Sequence, residues 1–164
     1  MKKIIYLIIS FILIVYVNAC VGYKPIFGSS NLQFEITDYS IEGDQKLGNQ
    51  IYSKLYSISR SNKNTVETRN LYIKIKASKE KKATAKDSTG KVLEYKINLT
   101  FNIVVNDYLS KNELLNHNFV SSVSYKIQDQ YSETIKLENK SIDNLINKIY
   151  QDIIIKMSES IIKK

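Results

Sequence analysis

Three features of this 164-residue sequence carry side chains with chemistry to offer: one cysteine, one histidine and a dense run of lysines. Cys20 is the sole cysteine, so no disulfide and no thiolate metal cluster can be assembled within the chain. What remains to its thiol is attachment of another group. His117 is the sole histidine, flanked by Asn116 and Asn118 in a polar stretch. A general base or metal ligand needs companions, and no second His or Cys exists to join it. The expectation is an exposed turn or strand-edge residue and no metal site. Carboxylates are scattered, with no pair set among apolar residues where burial would raise a pKa. Gly22, Gly28, Gly43, Gly48 and Gly90 are all isolated, so there is no phosphate-cradling loop. The serines occur in no nucleophile-elbow context. Catalysis is not expected.

The lysines are the more informative group. Between Glu67 and Lys96 stand nine basic residues against four acids, Glu67, Glu80, Asp87 and Glu94. Most should lie on the outward face or tip of one hairpin, which makes the local field positive. Lys74, Lys76, Lys79, Lys81 and Lys82 are the candidate contacts for a phosphate-bearing ligand. A solvated face inflated by composition is the competing explanation. Only Arg60 and Arg69 among the 24 basic residues are arginine, and arginine leads where phosphate is bound bidentately.

These groups need elements to position them, and the first segment sends the chain out of the cytoplasm. Lys2 and Lys3 precede an apolar run from Ile4 to Val17 broken only by Ser10, and the small Ala19 then precedes Cys20. Charge, grease and a small residue in that order form a secretory signal. The run is short for a bilayer span, which takes about 18 to 20 residues, so an uncleaved anchor is the less favoured alternative. Cleavage before Cys20 removes 19 of 164 residues and leaves 145, room for one domain with a real core. Formal charge falls from +8 to +6 as Lys2 and Lys3 leave. A basic surface would ordinarily point to nucleic acid. Export argues against it, and phosphorylated lipids and lipopolysaccharide are the anions available outside the cytoplasm.

The mature chain reads as β-α-β-β-β-α. Residues 20–31 form an anchor and an extended, turn-rich linker holding the only proline. Leu32, Phe34 and Ile36 alternate with polar residues as a strand closed at Gly43 and Asp44. Asp44 can cap a helix over 44 to about 60 carrying Leu47, Ile51, Leu55 and Ile58 on one face. Ser61 to Asn64 is a polar linker. Leu71, Ile73, Ile75 and Ala77 mark a second strand, followed by a charged hairpin from Lys79 to Lys91 turning at Ser88-Thr89-Gly90. Leu93, Tyr95, Ile97, Leu99, Phe101 and Ile103 then face one way, six apolar residues in unbroken alternation. A fourth strand over about 115–127 carries Phe119, Val123, Tyr125 and Ile127 on one side. A final helix, capped by Ser141, carries Ile142, Leu145, Ile146, Ile149, Ile153, Met157 and Ile161. The expected fold is α+β: a two-layer sandwich over residues 32–164, with a four-stranded, mainly antiparallel sheet and two helices on one face. The other sheet face, rich in Lys, Asn, Thr and Ser, stays wet or meets a polar partner.

Cys20 directly behind Val17-Asn18-Ala19 resembles the lipobox of bacterial lipoproteins, with Asn18 where Ala, Ser or Thr is usual. In that family the thiol takes a diacylglycerol, the signal is removed and the new amine is acylated. The resemblance therefore implies a covalent diacylglycerol and an N-acyl chain on Cys20 and no other cofactor. Two or more acyl chains make such an anchor stable. Val17 and Ala19 also fit an ordinary signal cut, which would leave a soluble form with a free thiol. Enteric bacteria retain lipoproteins with Asp after the cysteine at the inner membrane; Val21 here implies the outer membrane, facing the periplasm.

The run Cys20-Val21-Gly22-Tyr23-Lys24-Pro25-Ile26-Phe27-Gly28 is similar to the opening of the lipopolysaccharide-assembly lipoprotein LptE family in its alphaproteobacterial form, with Val21 inserted. The order of elements resembles that family across the mature chain, as does the strand-to-long-helix ending from Ser121. The resemblance implies a companion that plugs the lumen of the LptD β-barrel, helps it assemble and aids insertion of lipopolysaccharide into the outer leaflet. A polar sheet face would suit a polar barrel interior. An auxiliary lipoprotein of an ABC-type lipid transport system is the alternative.

Overall fold

A computed structural model describes residues 33–61 and 68–162. The signal at 1–19, Cys20, the linker to residue 31, Leu32 and residues 62–64 of the polar linker lie outside the described residues. β1 (Phe34–Gly43) buries Phe34 and Ile36 as the alternation demands. The chain then departs from simple alternation. Against β2, Ile36 pairs with Leu71 but Asp38 with Tyr72, so Thr37 is an extra residue that bulges out. The bulge inverts the faces. Tyr39 now stacks on Tyr52 of the following helix, while Glu42 turns outward to Lys74.

Gly43 closes β1 at φ 79, where a Cβ would run into the carbonyl oxygen of Ala77. Asp44 donates its N–H to that carbonyl at 2.8 Å, and its Oδ1 accepts the Leu47 N–H at 3.1 Å. It is the expected cap of α1 (Gln45–Ser61), which buries Leu47, Ile51 and Leu55. β2 (Arg69–Lys86) returns parallel to β1 across this helix. β3 (Val92–Asp107) and β4 (Glu113–Lys126) follow antiparallel, giving one mixed sheet of order β1-β2-β3-β4. Both helices pack on the same face, and their stripes join one buried cluster with Phe101, Ile103, Val105, Ile149 and Met157. This is the expected α+β sandwich.

The charged hairpin forms as expected: β2 runs on to Lys86, and the turn spans Asp87–Lys91 around Ser88-Thr89-Gly90. There Asp87 Oδ1 accepts the N–H groups of Thr89 and Lys91. Two local expectations are corrected: Leu93, expected to share the inward face with Tyr95 and Ile97, is 46% exposed. Second, α2 (Tyr131–Ile162) begins ten residues before Ser141, which is buried inside it and caps nothing. The inner stripe continues upstream through Thr134, Leu137, Glu138 and Ser141 at helical spacing, but mostly with polar residues. Thr134 Oγ1 accepts the Gln128 N–H at 2.9 Å and fastens that first turn to the end of β4.

Candidate functional site

The lysine-rich β2–β3 ribbon presents two different faces, set by the period of two along each strand. Outward rows run across three strands: Lys74–Val104–Asn116, Lys76–Asn102–Asn118, Ser78–Thr100–Val120, Glu80–Asn98–Ser122 and Lys82–Lys96–Ser124. No described element covers this face. Its amides are tied together, Asn102 donating to Asn118 at 2.8 Å and Asn98 to Glu80 at 3.2 Å.

The five lysines do not form one patch. Lys74, Lys76 and Lys82 lie on the outward face, whereas Lys79 and Lys81 sit opposite Leu99 and Ile97 and point to the helices. Lys74 pairs with Glu42 at 2.7 Å and Lys82 with Glu80 at 2.8 Å. Hydrogen bonding from Lys74 holds the Glu42 carboxyl below its ordinary range, and bonds from Lys82 and Asn98 do the same for Glu80. Lys76 makes no ion pair among the described residues. Most of the hairpin's cations do lie on the outward face (Lys74, Lys76, Lys82 and Lys96) or at the tip (Lys86 and Lys91), but Lys79 and Lys81 do not. Alternation places odd-numbered and even-numbered lysines on opposite sides, and acids neutralise Lys74 and Lys82.

Lys81 belongs to a cluster that sequence spacing does not reveal. Its ammonium binds Glu138 of α2 at 2.6 Å and lies 4.3 Å from the Tyr95 ring centre. Tyr125 O–H donates to the same Glu138 oxygen at 2.7 Å. Burial alone would raise the Glu138 carboxyl and lower the Lys81 ammonium. The hydrogen bonds and mutual attraction outweigh it, so Glu138 sits below its ordinary range and Lys81 above. Lys79 meets the same helix differently, lining a small cleft with Glu138, Asn139 and Asp143. A larger cleft of about 560 Å³ opens between α1 and α2, lined by Asn49, Gln50, Ser53, Lys54, Asp143 and Asn147.

His117 is exposed on β4, the sheet's edge strand, with its ring against Phe119 at 4.8 Å. Among the described residues no group of three or more His, Cys, Asp or Glu could hold a metal ion. None of the described helices is long and apolar enough to cross a membrane. Among the described residues the uncovered sheet face is mostly polar.

A domain of this class, a mixed four-stranded sheet backed by two helices, occurs in solved bacterial lipoproteins. Rare lipoprotein B from Shewanella oneidensis matches with a TM-score of 0.50 at 17% identity, over 75% of this chain and 94% of that one. A minor lipoprotein from Acinetobacter baumannii gives 0.52 at 16% identity, over 74% and 90%. Lipoprotein B from Nitrosomonas europaea gives 0.53 at 20% identity, over 87% and 92%. At these identities the shared property is the fold. No model of a known protein family matches the sequence, and no curated protein does.

Proposed function

We propose that this chain is an outer-membrane lipoprotein of lipopolysaccharide transport, anchored through lipid on Cys20 and facing the periplasm. In this reading it plugs an LptD-type β-barrel, assists the barrel's assembly and aids passage of lipopolysaccharide to the outer leaflet. The observation that carries it is the fold behind Cys20, which lipoproteins of known structure share over nine-tenths of their own length. The LptE-like opening around Cys20 and the uncovered polar sheet face support the same reading. Rows of Asn, Ser, Thr and Lys can exchange hydrogen bonds with a polar lumen without leaving buried groups unpaired.

Lipopolysaccharide phosphates would meet Lys76 first, then Lys74 and Lys82, whose acidic partners must yield. Lys79 and Lys81 would take part only from the helix side. Extracting the protein from membranes under mild detergent should bring down a large outer-membrane barrel. Depleting it should leave lipopolysaccharide short at the cell surface. Recovery of a permease complex instead, or mass spectrometry showing an unmodified Cys20 thiol, would overturn the assignment.

A further inference from the structure

The sheet has two open edges, and they are built differently. Protein sheets guard their edges with charges, prolines or bulges, because unpaired N–H and C=O groups will otherwise add another strand. β1 follows that rule: it carries the Thr37 bulge and the acids Glu35, Asp38 and Glu42. β4 does not. From Leu114 to Tyr125 it has no charged residue and no proline, and its register against β3 is unbroken from Lys126 to Leu115. Among the described residues only β3 pairs with it. Val120, near the middle of the strand on the outward face, is 66% exposed.

We propose that β4 is a docking edge for a second copy of this chain, the two β4 strands pairing antiparallel about a two-fold axis through Val120. Charge selects both the occupant and the direction. The only charged residues of β4 are Glu113 and Lys126, one at each end. A register shift pairs Glu113 with Asn106 and turns it outward, where it accepts a hydrogen bond from Asn116; Lys126 is also on that outward face, opposite Glu94. Antiparallel addition brings each Glu113 to the Lys126 of the other copy. Parallel addition would set like charges side by side, which destabilises a strand pair.

A two-fold perpendicular to the sheet also keeps the faces aligned, because residues opposed across it share the same parity. On the outward face Val120 meets its own copy, Asn118 meets Ser122 and Asn116 meets Ser124. On the helix face Phe119 meets Ser121, His117 meets Val123 and Leu115 meets Tyr125. The product is a continuous eight-stranded sheet with four helices on one side. None of this depends on lipid, on lipopolysaccharide or on a barrel.

The test uses the protein purified from its membrane in detergent and followed by sedimentation equilibrium. The wild type should dimerise, and Val120→Lys should raise the dissociation constant about tenfold or more by opposing two ammonium groups on the axis. Val120→Thr, which keeps shape and strand preference, should remain dimeric. Lys126→Glu alone should weaken pairing, and adding Glu113→Lys should restore it. Val120→Cys should give a disulfide dimer on oxidation, with peptide mass spectrometry showing the 120–120 cross-link, since directly opposed residues in an antiparallel pair lie within bridging range. A wild type that stays monomeric, a dimer indifferent to Val120→Lys, or a position-120 thiol that couples only to a different polypeptide would each overturn self-pairing. The last result would assign the edge to a foreign strand.

Discussion

The two ends of the β2–β3 ribbon differ as sharply as two separate proteins would. At the base, Leu71, Ile73, Ile75 and Ala77 lie opposite Asp107, Val105, Ile103 and Phe101, and both helices cover them. At the tip, Lys82, Ala83 and Ala85 face Lys96, Tyr95 and Glu94 along the same ladder, and none of these six residues is buried. Backbone pairing is equal at both ends, so pairing alone does not confer stability. The base is held by burial of apolar surface against the helices. The tip is held by its ladder and by one clamp, Lys81 to Glu138. That asymmetry lets the tip carry charge at little cost to the core.

The strongest way to break this comparison is to empty the base. Phe101 is fully buried, and Phe101→Ala should cost about 3–5 kcal/mol in denaturant unfolding. Leu93→Ala at the exposed tip should stay within about 0.5 kcal/mol. Equal losses would mean that the tip is buried in some way the fold does not show.

Glycines sharpen the contrast next. Gly43 has φ 79 and its missing Cβ would strike the Ala77 carbonyl, so Gly43→Ala should cost about 2 kcal/mol or more. Gly90 has φ 89 but open space around it, so Gly90→Ala should cost only the backbone term, about 1 kcal/mol. Thermal melts of the two variants would separate steric from purely conformational strain.

The clamp should register a smaller effect with a pH signature. Glu138 is held below its ordinary value of 4.5, so its contribution is full above that value and is lost as pH falls through the lower folded-state value. Lys81 is held above its ordinary 10.5, so its share is full below that value and is lost only as pH rises past the higher folded-state value. The Lys81 side chain is 36% exposed, and solvent screening limits the pair to about 1 kcal/mol or less. Glu138→Gln should flatten the acid limb of stability below pH 4.5; an unchanged acid limb would mean the pair adds nothing.

Smallest of all on stability should be Lys76→Glu together with Lys82→Glu, within about 0.5 kcal/mol in chemical unfolding. The same pair should weaken binding to lipopolysaccharide micelles, whereas Lys79→Glu, on the other face, should weaken it less. Equal losses from both faces would show that the ligand reads overall charge and not one surface.

How far the sequence reaches can be followed residue by residue. Period-two alternation in Leu71–Ala77 and Ile97–Ile103, helical spacing in Leu47–Leu55 and Leu145–Met157, and Asp44 as a cap are local patterns. Each element's inner face is decided by its own residues, so the β-α-β-β-β-α order and the two-layer α+β packing were legible. What local pattern did not report was the Thr37 bulge, the exposure of Leu93, and the early start of α2. In the last case polar Thr134, Glu138 and Ser141 occupy the inner stripe, and an apolar count stops short of them.

The candidate site shows the same division. The positive charge of the hairpin was determined by its residues alone, since charge is additive along a chain. Which lysines are available was decided only by the tertiary structure. Lys81 and Glu138 are 57 positions apart, and Glu42 reaches Lys74 only because a helix carries β2 back beside β1. Ion pairing depends on distance in space, and the fold sets those distances.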